Sequence, residues 1–208
     1  MRTSLLTAVL LCVTAILSAQ TIQLPQPVRT GGMPLMEALN QRQTTRTFDN
    51  DKEISKQTLS NLLWAAWGFN RENKRTAPSS MNRQEIDLYA VTKTGIYLYD
   101  ATSNILKPVV LGDFRAETGM QSFTATAPLN IVLVCNKSKL KSKSETGTIE
   151  ATYANSGYIS QNIYLFCASE GLATVVRASI AKEKLAKTMN LTDDQLITLA
   201  QTVGYPKK

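Results

Sequence analysis

The sequence predicts a single domain of the α+β class, in which helices cover a central β-sheet. Three stretches support this prediction. Residues 86–91 alternate as a strand does, and a tight turn at Lys93-Thr94-Gly95 leads into a second strand, so that the two form a hairpin. Residues 129–135 are almost continuously apolar, which is typical of a central strand covered on both faces. Residues 149–169 form a long helix without a charged side chain after Glu150, and such a helix has to be buried almost all round, by the sheet and a second subunit.

The N-terminal residues 1–19 have the pattern of a secretory signal peptide. A positive start at Arg2 precedes an apolar run over residues 5–17, and small residues end at Ala19. We therefore expect cleavage after Ala19 and export, with a periplasmic location. The apolar run is too short to cross a bilayer comfortably, so a retained anchor is the less favoured alternative, and no membrane span is expected after cleavage.

Residues 20–33 predict an extended arm, because two prolines and Gly31-Gly32 occur there without any periodicity. The surface of a partner subunit is one place where this arm could lie. The globular domain then occupies residues 34–208. Its first helix opens at Pro34 and ends at Arg42, and a second helix begins at the capping residue Ser55 and ends at Gly68.

The remaining elements follow from shorter signals. The stretch from Arg71 to Asn82 is polar and has neither helical nor strand periodicity, so it is predicted to be a loop that is either disordered or functional. We expect residues 104–110 to lead on from the hairpin and a short helix to follow over 112–119. Later elements are a strand or extended turn over 172–176, an amphipathic helix over 180–189 and a last strand over 196–203.

Several function classes are excluded by composition. The chain has no histidine, which removes Ser-His-Asp and Cys-His nucleophilic sites and most zinc sites, and no metal site is expected. No glycine-rich phosphate loop is present. The formal net charge is +7, yet the lysine-rich stretch 137–143 has no interleaved aromatics, so no nucleic-acid partner is predicted. Cys135 and Cys167 lie in apolar runs and are predicted to be small core residues, with a disulfide as the alternative in an exported protein.

The segment Arg42–Asp49 has the residues of an anion site. Two arginines four positions apart flank Thr44 and Thr45 just where the first helix ends. Guanidinium groups match phosphate oxygens with paired donors, and the hydroxyls add further donors. The alternative is a solvated basic helix end, which the helix dipole favours by itself. A chain with few acid-base residues but with such donors is typical of a protein whose chemistry is carried by a cofactor.

Several segments, in order, resemble the nitroreductase family of flavin enzymes. Arg42–Asp49 resembles the opening Arg-x-Ser/Thr-x-Arg/Lys segment, and residues 77–84 resemble the Pro-Ser-x-x-Asn loop. Residues 95–100 are similar to the Gly-Leu-Tyr-x-Tyr strand of the subgroup that includes the thiazoline and oxazoline dehydrogenases of peptide maturation. The buried dimer helix, the flavin-facing strand and the C-terminal signature of the family match residues 157–171, residues 171–178 and Gly204-Tyr205-Pro206.

This resemblance implies a nitroreductase-like fold, with a mostly antiparallel central sheet flanked by helices and a homodimer built on the long buried helix. It also implies an FMN site. The phosphate and ribityl chain would be held by Arg42, Gln43, Thr44 and Arg46. The isoalloxazine ring would be lined from the neighbouring subunit by Pro78, Ser79, Ser80 and Asn82. Backbone would be presented to the ring by Val176, Arg177 and Ala178, and Lys207 or Lys208 would add a last phosphate contact unless the tail is merely solvated.

The function that the resemblance implies is hydride transfer through flavin N5, with no protein residue carrying the chemistry. A donor such as NAD(P)H would reduce the flavin and leave before a nitro, quinone or similar small-molecule acceptor binds. Two departures are notable, because the acidic residue and the glycine of many relatives are replaced near Ala178 and Ser179. Arg177 could instead face the N1 and O2 edge of the flavin. The alternatives are a flavin-binding or structural relative without turnover, and an interaction domain without flavin.

Overall fold

The structure is a computed structural model, and it describes residues 20–140 and 144–207. The predicted signal peptide, Lys141, Lys143 and Lys208 lie outside these residues. Four helices and ten strands are described, together with four short 3-10 turns. The helices are α1 (Leu35–Gln41), α2 (Lys56–Trp67), α3 (Glu145–Ser169) and α4 (Lys182–Thr188). The strands are β1 (Ile22–Gln23), β2 (Phe48–Asp49), β3 (Phe69–Arg71), β4 (Lys74–Arg75), β5 (Ile86–Thr92), β6 (Gly95–Asp100), β7 (Ile105–Leu111), β8 (Leu129–Asn136), β9 (Ala173–Arg177) and β10 (Gln195–Pro206).

One antiparallel sheet forms the centre of the domain. Its order is β1-β7-β6-β5-β8-β10-β2, and β9 also pairs with β10. The predicted hairpin is β5 and β6, with Thr92 opposite Gly95 across the turn. The last strand, β10, is longer than predicted, because it pairs with β8, with β9 and finally with β2 through Tyr205 and Pro206. The α+β prediction is therefore confirmed.

The central strand β8 is buried on both faces, as its apolar run predicts. Ile131 and Leu133 pack into the cluster that contains α2 and α3, whereas Val132 and Val134 pack into the cluster that contains α4. Alternate side chains point to opposite faces of a strand, so a strand covered on both faces needs apolar residues at every position. No helix in the described part of the chain is both long and apolar enough to cross a membrane.

Helix α3 starts earlier than predicted, at Glu145, because the Ser144 side chain caps it by accepting a hydrogen bond from the Gly147 N–H. Its inner face is polar as well as apolar. Ser156 Oγ lies 2.8 Å from Thr198 Oγ1, and Ser160 donates to Gln201 Oε1 over 2.8 Å. These bonds satisfy buried polar groups, which explains how a helix with so many amides and serines can lie on a sheet.

The outer face of α3 is open in the single chain. Tyr153 and Tyr158 are 36% and 49% exposed, and Ile149 is 44% exposed. The expectation of a helix buried all round is therefore met only in part, by the sheet, α2 and α1. Lys182 of α4 contacts this face, with Nζ donating to the Tyr153 hydroxyl over 2.9 Å, but Ile149, Tyr153 and Tyr158 remain partly open to solvent.

The N-terminal arm lies on its own chain. β1 pairs with β7, with Ile22 opposite Leu106. Asn104 donates from Nδ2 to the Pro25 carbonyl over 2.8 Å, and Ser60 Oγ donates to the same carbonyl over 2.5 Å. Proline has no backbone N–H, so the arm offers few backbone donors of its own. Buried side chains of α2 and of the turn before β7 supply the donors for the Pro25 carbonyl. The described arm is thus part of this subunit's own packing.

Two shorter expectations are changed by the structure. Of the two alternatives for residues 71–82, disorder is contradicted, because β3 and β4 form a hairpin and a 3-10 turn follows over Ser80–Asn82, whereas a functional role stays a prediction. Side-chain amides in this stretch hydrogen-bond to backbone groups, and such contacts leave no periodic pattern in the sequence. The expected helix over 112–119 is a 3-10 turn over Arg115–Thr118. Cys135 and Cys167 are free and buried, which confirms them as core residues, and burial raises the pKa of the Cys167 thiol.

The polar contact between α3 and β10 should be measurable as stability. Replacement of Ser160 by alanine leaves the fully buried Gln201 Oε1 without its donor, so Ser160→Ala should lower the free energy of unfolding by about 1–3 kcal/mol. Urea denaturation measures the change. The matched control is Ser103→Ala, at an exposed serine whose backbone N–H makes the turn hydrogen bond. Equal stability of the two variants would contradict the assignment.

Candidate functional site

The segment that follows α1 is held by a tyrosine from α3. Arg42 caps α1 through its N–H to the Ala38 carbonyl, and the chain then runs extended toward β2. The Arg42 guanidinium carbon lies 5.3 Å from the centroid of the Tyr164 ring. Thr44 Oγ1 is 3.0 Å from the Tyr164 hydroxyl. The face of the Tyr164 ring therefore contacts the Arg42 guanidinium, and its hydroxyl contacts the Thr44 hydroxyl.

The same tyrosine joins this segment to β9. Tyr164 Oη accepts a hydrogen bond from the Val176 N–H over 3.1 Å. Thr45 N–H donates to the Thr174 carbonyl over 3.0 Å. One edge of β9 is occupied by β10, so these contacts lie along its other edge. The structure therefore brings together Arg42, Thr44 and Val176, which the sequence analysis had named separately.

Positive charge collects near this edge without acidic partners. Arg46 and Lys207 are exposed, and the Lys207 N–H lies 3.5 Å from the Thr47 carbonyl, which joins the C-terminal tail to the same segment. Within residues 20–140 and 144–207, neither these two cations nor Arg42 forms an ion pair with a carboxylate. Cations without acidic partners, beside the hydroxyls of Thr44 and Tyr164, attract an anion such as a phosphate.

Gln43 points to a different place from its neighbours. It lines a cavity of about 180 Å³ together with Thr45, Cys167, Leu172 and Pro206. Alternate residues of an extended segment point to opposite sides, so Gln43 and Thr45 lie behind the strip that carries Arg42, Thr44 and Arg46. Tyr164 and Thr174 line the same cavity, so Gln43 borders a space directly behind the contact between Tyr164 and Thr44.

The Arg177 side chain lies inside the protein. It is 6% exposed, and it follows Ala173 and Val175 onto the face of β9 opposite Thr174 and Val176. The guanidinium donates to Thr202 Oγ1, and it donates to Asn130 Oδ1 over 3.2 Å. Burial lowers its pKa to about 10. The hypothesis that this guanidinium faces the N1 and O2 edge of a flavin stays a prediction. The next residue, Ala178, is exposed.

The predicted Pro-Ser-x-x-Asn loop forms its own cluster in this chain. Ser79 Oγ accepts from the Gln84 N–H over 3.0 Å, and Asn82 Nδ2 donates to the Asn73 carbonyl over 3.0 Å. Met81, Asn82 and Gln84 have φ angles of 53°, 54° and 51°. Left-handed backbone at residues other than glycine costs energy and is concentrated at functional sites. Pro78 and Ser80 are exposed, and no hydrogen bond between described residues links this loop to Arg42, Thr44 or Arg46.

Tyr164 is the central residue that sequence reasoning missed. It sits in the uncharged stretch of α3, where a tyrosine among serines and asparagines gives no spacing signal that separates it from Tyr153 or Tyr158. Only its burial, at 8% exposure, distinguishes it from those two exposed tyrosines. Its position opposite the first segment depends on how α3 crosses β9 and β10.

The role of the Tyr164 hydroxyl can be tested directly. Tyr164→Phe removes the partner of Val176 and of Thr44, so we expect a loss of about 1–2 kcal/mol in unfolding free energy and faster exchange of the Val176 amide. Hydrogen exchange by mass spectrometry and urea denaturation measure both effects. Tyr158→Phe is the matched control, because that tyrosine is exposed on the same helix. Similar exchange at Val176 in both variants would refute the bridging role.

Comparisons with known proteins identify the family of this chain. The sequence model of the Nitroreductase family matches residues 39–205. The crystal structure of a predicted nitroreductase from Ralstonia eutropha JMP134 has a TM-score of 0.86 and 38% sequence identity, and the match covers 92% of each chain. A predicted nitroreductase of Methanocaldococcus jannaschii is 22% identical over 176 residues, which are 79% of this chain and 88% of the relative.

A similar fold also occurs in a multiprotein complex. A structure of the Escherichia coli microcin synthetase McbBCD complex with truncated pro-MccB17 bound matches with a TM-score of 0.69 and 19% identity, over 99% of this chain and 85% of that chain. The resemblance and the nitroreductase-like fold inferred from the sequence are confirmed. This chain belongs to the nitroreductase family.

Proposed function

We propose that the protein is an exported, homodimeric, FMN-dependent oxidoreductase of the nitroreductase type. The observation that carries this proposal is the group of cations without acidic partners along the edge of β9 that does not pair with β10. Arg42, Arg46 and Lys207 supply positive charge there, and Thr44 supplies a hydroxyl fixed by Tyr164. A phosphate monoester is the anion that this donor set matches, since guanidinium groups bind its oxygens with paired hydrogen bonds.

The donor set fits FMN at its phosphate end, and the backbone of β9 fits its ring. Arg42, Arg46 and Lys207 would hold the phosphate, and Thr44 would bind the ribityl chain. The exposed Ala178 and the half-buried Val176 would present backbone along the ring. FMN, when bound, supplies hydride transfer at its N5 atom. The protein itself binds and orients, because this chain has no histidine and carries Ala178 where many relatives have an acid.

The homodimer is supported by apolar surface that the single chain leaves open. Tyr153 and Tyr158 of α3 are exposed, and α1 exposes Leu35, Met36 and Leu39 at 63%, 76% and 44%. α1 and α3 pack against each other, so these side chains belong to neighbouring helices. A second copy would cover them, and it would also bring the loop at Pro78–Asn82 toward the flavin ring from across the interface.

The proposed reaction has two half-reactions at one site. A reduced donor, with NAD(P)H as the first choice to test, reduces the flavin and leaves before a nitro or quinone acceptor binds. Export is supported by the signal-peptide pattern of residues 1–19, and it would place the enzyme in the periplasm. A donor other than a nicotinamide cofactor is then also compatible with the site.

Flavin binding should depend on the two arginines. Arg42→Ala and Arg46→Ala should each raise the dissociation constant for FMN by about tenfold to a hundredfold, because each removes a charge-assisted hydrogen bond. Quenching of FMN fluorescence on titration with apoprotein measures the constant. Lys187→Ala, at an exposed cation of α4, is the control and should bind FMN normally. A wild-type protein that binds no FMN would refute the cofactor assignment.

The dimer interface should be sensitive to charge on α3. Tyr158→Lys puts a cation into a surface that dimerisation would desolvate, so we expect dimer affinity to fall by roughly thirtyfold. Sedimentation velocity over a concentration series gives the affinity. Val109→Lys adds the same charge on β7, where Val109 is 38% exposed, and should leave the dimer intact. A wild-type monomer at all concentrations would contradict the proposal.

A second candidate is a flavin-binding relative without turnover. The observation that favours it is the uncharged pair Ala178 and Ser179, where many relatives have an acid and a glycine. Anaerobic addition of NADH or NADPH to the flavin-loaded protein separates the two. Bleaching of the flavin absorbance followed by reoxidation with a quinone supports the enzyme, and flavin that a chemical reductant bleaches but no biological donor does supports the relative.

A further inference from the structure

The segment from Arg115 to Ala127 is built around the buried Arg177 side chain. Arg177 Nη2 donates to the Thr118 carbonyl over 3.2 Å, and the guanidinium carbon lies 5.6 Å from the centroid of the Phe123 ring. Asn130, which accepts from the same Nη2, donates in turn to the Thr124 carbonyl over 2.9 Å. Arg177 therefore holds Thr118 directly, and Asn130, which it contacts, holds Thr124.

The cation at the centre of this arrangement has no acidic partner. Among the residues that the structure describes, no carboxylate pairs with Arg177, and its Nε has no hydrogen-bond partner. A buried charge held only by neutral acceptors is expensive, and apolar residues of similar volume often stabilise a core at least as well. The arginine is therefore better explained by what it positions than by its contribution to stability.

The positioned group is Met120. Its N–H donates to the Ser179 carbonyl over 3.2 Å, just beyond the end of β9. Its side chain is 77% exposed, and Ala178 and Ser179 are exposed beside it. The Arg177 guanidinium leaves no room for a side chain at Gly119, since a Cβ at that position would lie 2.6 Å from Arg177 Nε. The guanidinium thus packs directly against the backbone that carries Met120.

We propose that Arg177 is a positioning residue and that Met120 is a specificity-determining residue of the flavin site, selecting uncharged aromatic acceptors. This inference rests on the proposed function, because it assumes that substrate binds beside Ala178 and Ser179. Met120, Ala178 and Ser179 present no charge, and a methionine thioether makes favourable contacts with aromatic rings. Arg177 holds the Thr118 carbonyl, and the Met120 N–H bond to the Ser179 carbonyl keeps Met120 next to the exposed end of β9.

The specificity role is tested by comparing two acceptors on the FMN-loaded enzyme. Met120→Ala should raise the KM for 1,4-naphthoquinone, an uncharged acceptor with an aromatic ring, about tenfold, while kcat and the KM for ferricyanide, a charged inorganic acceptor, change less than about twofold. Val109→Ala, at an exposed apolar residue of β7, is the control and should change neither KM. An unchanged KM for 1,4-naphthoquinone, or an equal rise for both acceptors, would overturn the role of Met120.

The positioning role is tested on apoprotein, so that it does not depend on flavin. Arg177→Met should speed exchange of the Met120 amide about tenfold relative to the Val176 amide. Arg177→Lys should restore part of the protection. Gly119→Ala keeps the arginine but crowds its Nε, and it should reproduce the faster exchange even if Arg177→Met folds poorly. Exchange at Met120 that is unaffected in Gly119→Ala and in folded Arg177→Met would overturn the positioning.

The kinetic and the hydrogen-exchange experiments distinguish a failure of the proposed function from a failure of this inference. Wild-type protein that binds no FMN refutes the proposed function and the substrate role of Met120 with it. Protected exchange at Met120 that depends on Arg177 still supports the positioning in that case. Normal FMN binding with unaltered acceptor preference in Met120→Ala overturns this inference while the proposed function stands.

Discussion

The pairing of β10 is the constraint on which the rest of the structure depends. Residues 200–203 of this strand lie between β8 and β9, so their backbone groups are used on both edges. Buried backbone N–H and C=O groups have to be paired, and a strand at this position cannot move without breaking two ladders. The same strand continues to Tyr205 and Pro206, where it pairs with β2 and fixes the end of the cationic segment.

The polar inner face of α3 follows from this constraint. A helix that lies on β10 meets Thr198 and Gln201, which point toward it, and Ser156 and Ser160 pair with them. Gln201 also donates from Nε2 to Thr174 Oγ1 over 3.1 Å, which ties β9 to the same contact. Satisfied polar networks are directional, so they fix the position of the helix along the sheet more closely than apolar packing alone does. That position brings the Tyr164 hydroxyl to the edge of β9.

The two faces of β9 then serve different purposes. On the α3 side, Val176 and Thr174 meet Tyr164 and Gln201, and the edge of the strand borders the unpaired cations. On the other side, Arg177 is enclosed by Thr118, Asn130 and Thr202. One short strand therefore joins the proposed phosphate site to the segment that carries Met120. This division explains why a neighbouring pair of residues, Val176 and Arg177, have such different surroundings.

The sequence by itself determined the class of fold, the central strand, the β5–β6 hairpin, the limits of α2 and the cationic segment at Arg42–Asp49. These features are local, because side-chain periodicity, caps and motif order are written in neighbouring residues. The tertiary structure decided the contacts between residues that are far apart in the sequence. It joined Thr44 to Tyr164 across 120 positions, turned the Arg177 side chain inward, and laid the arm on its own subunit. Such outcomes depend on which face of a strand is covered and by what, and no local pattern contains that information.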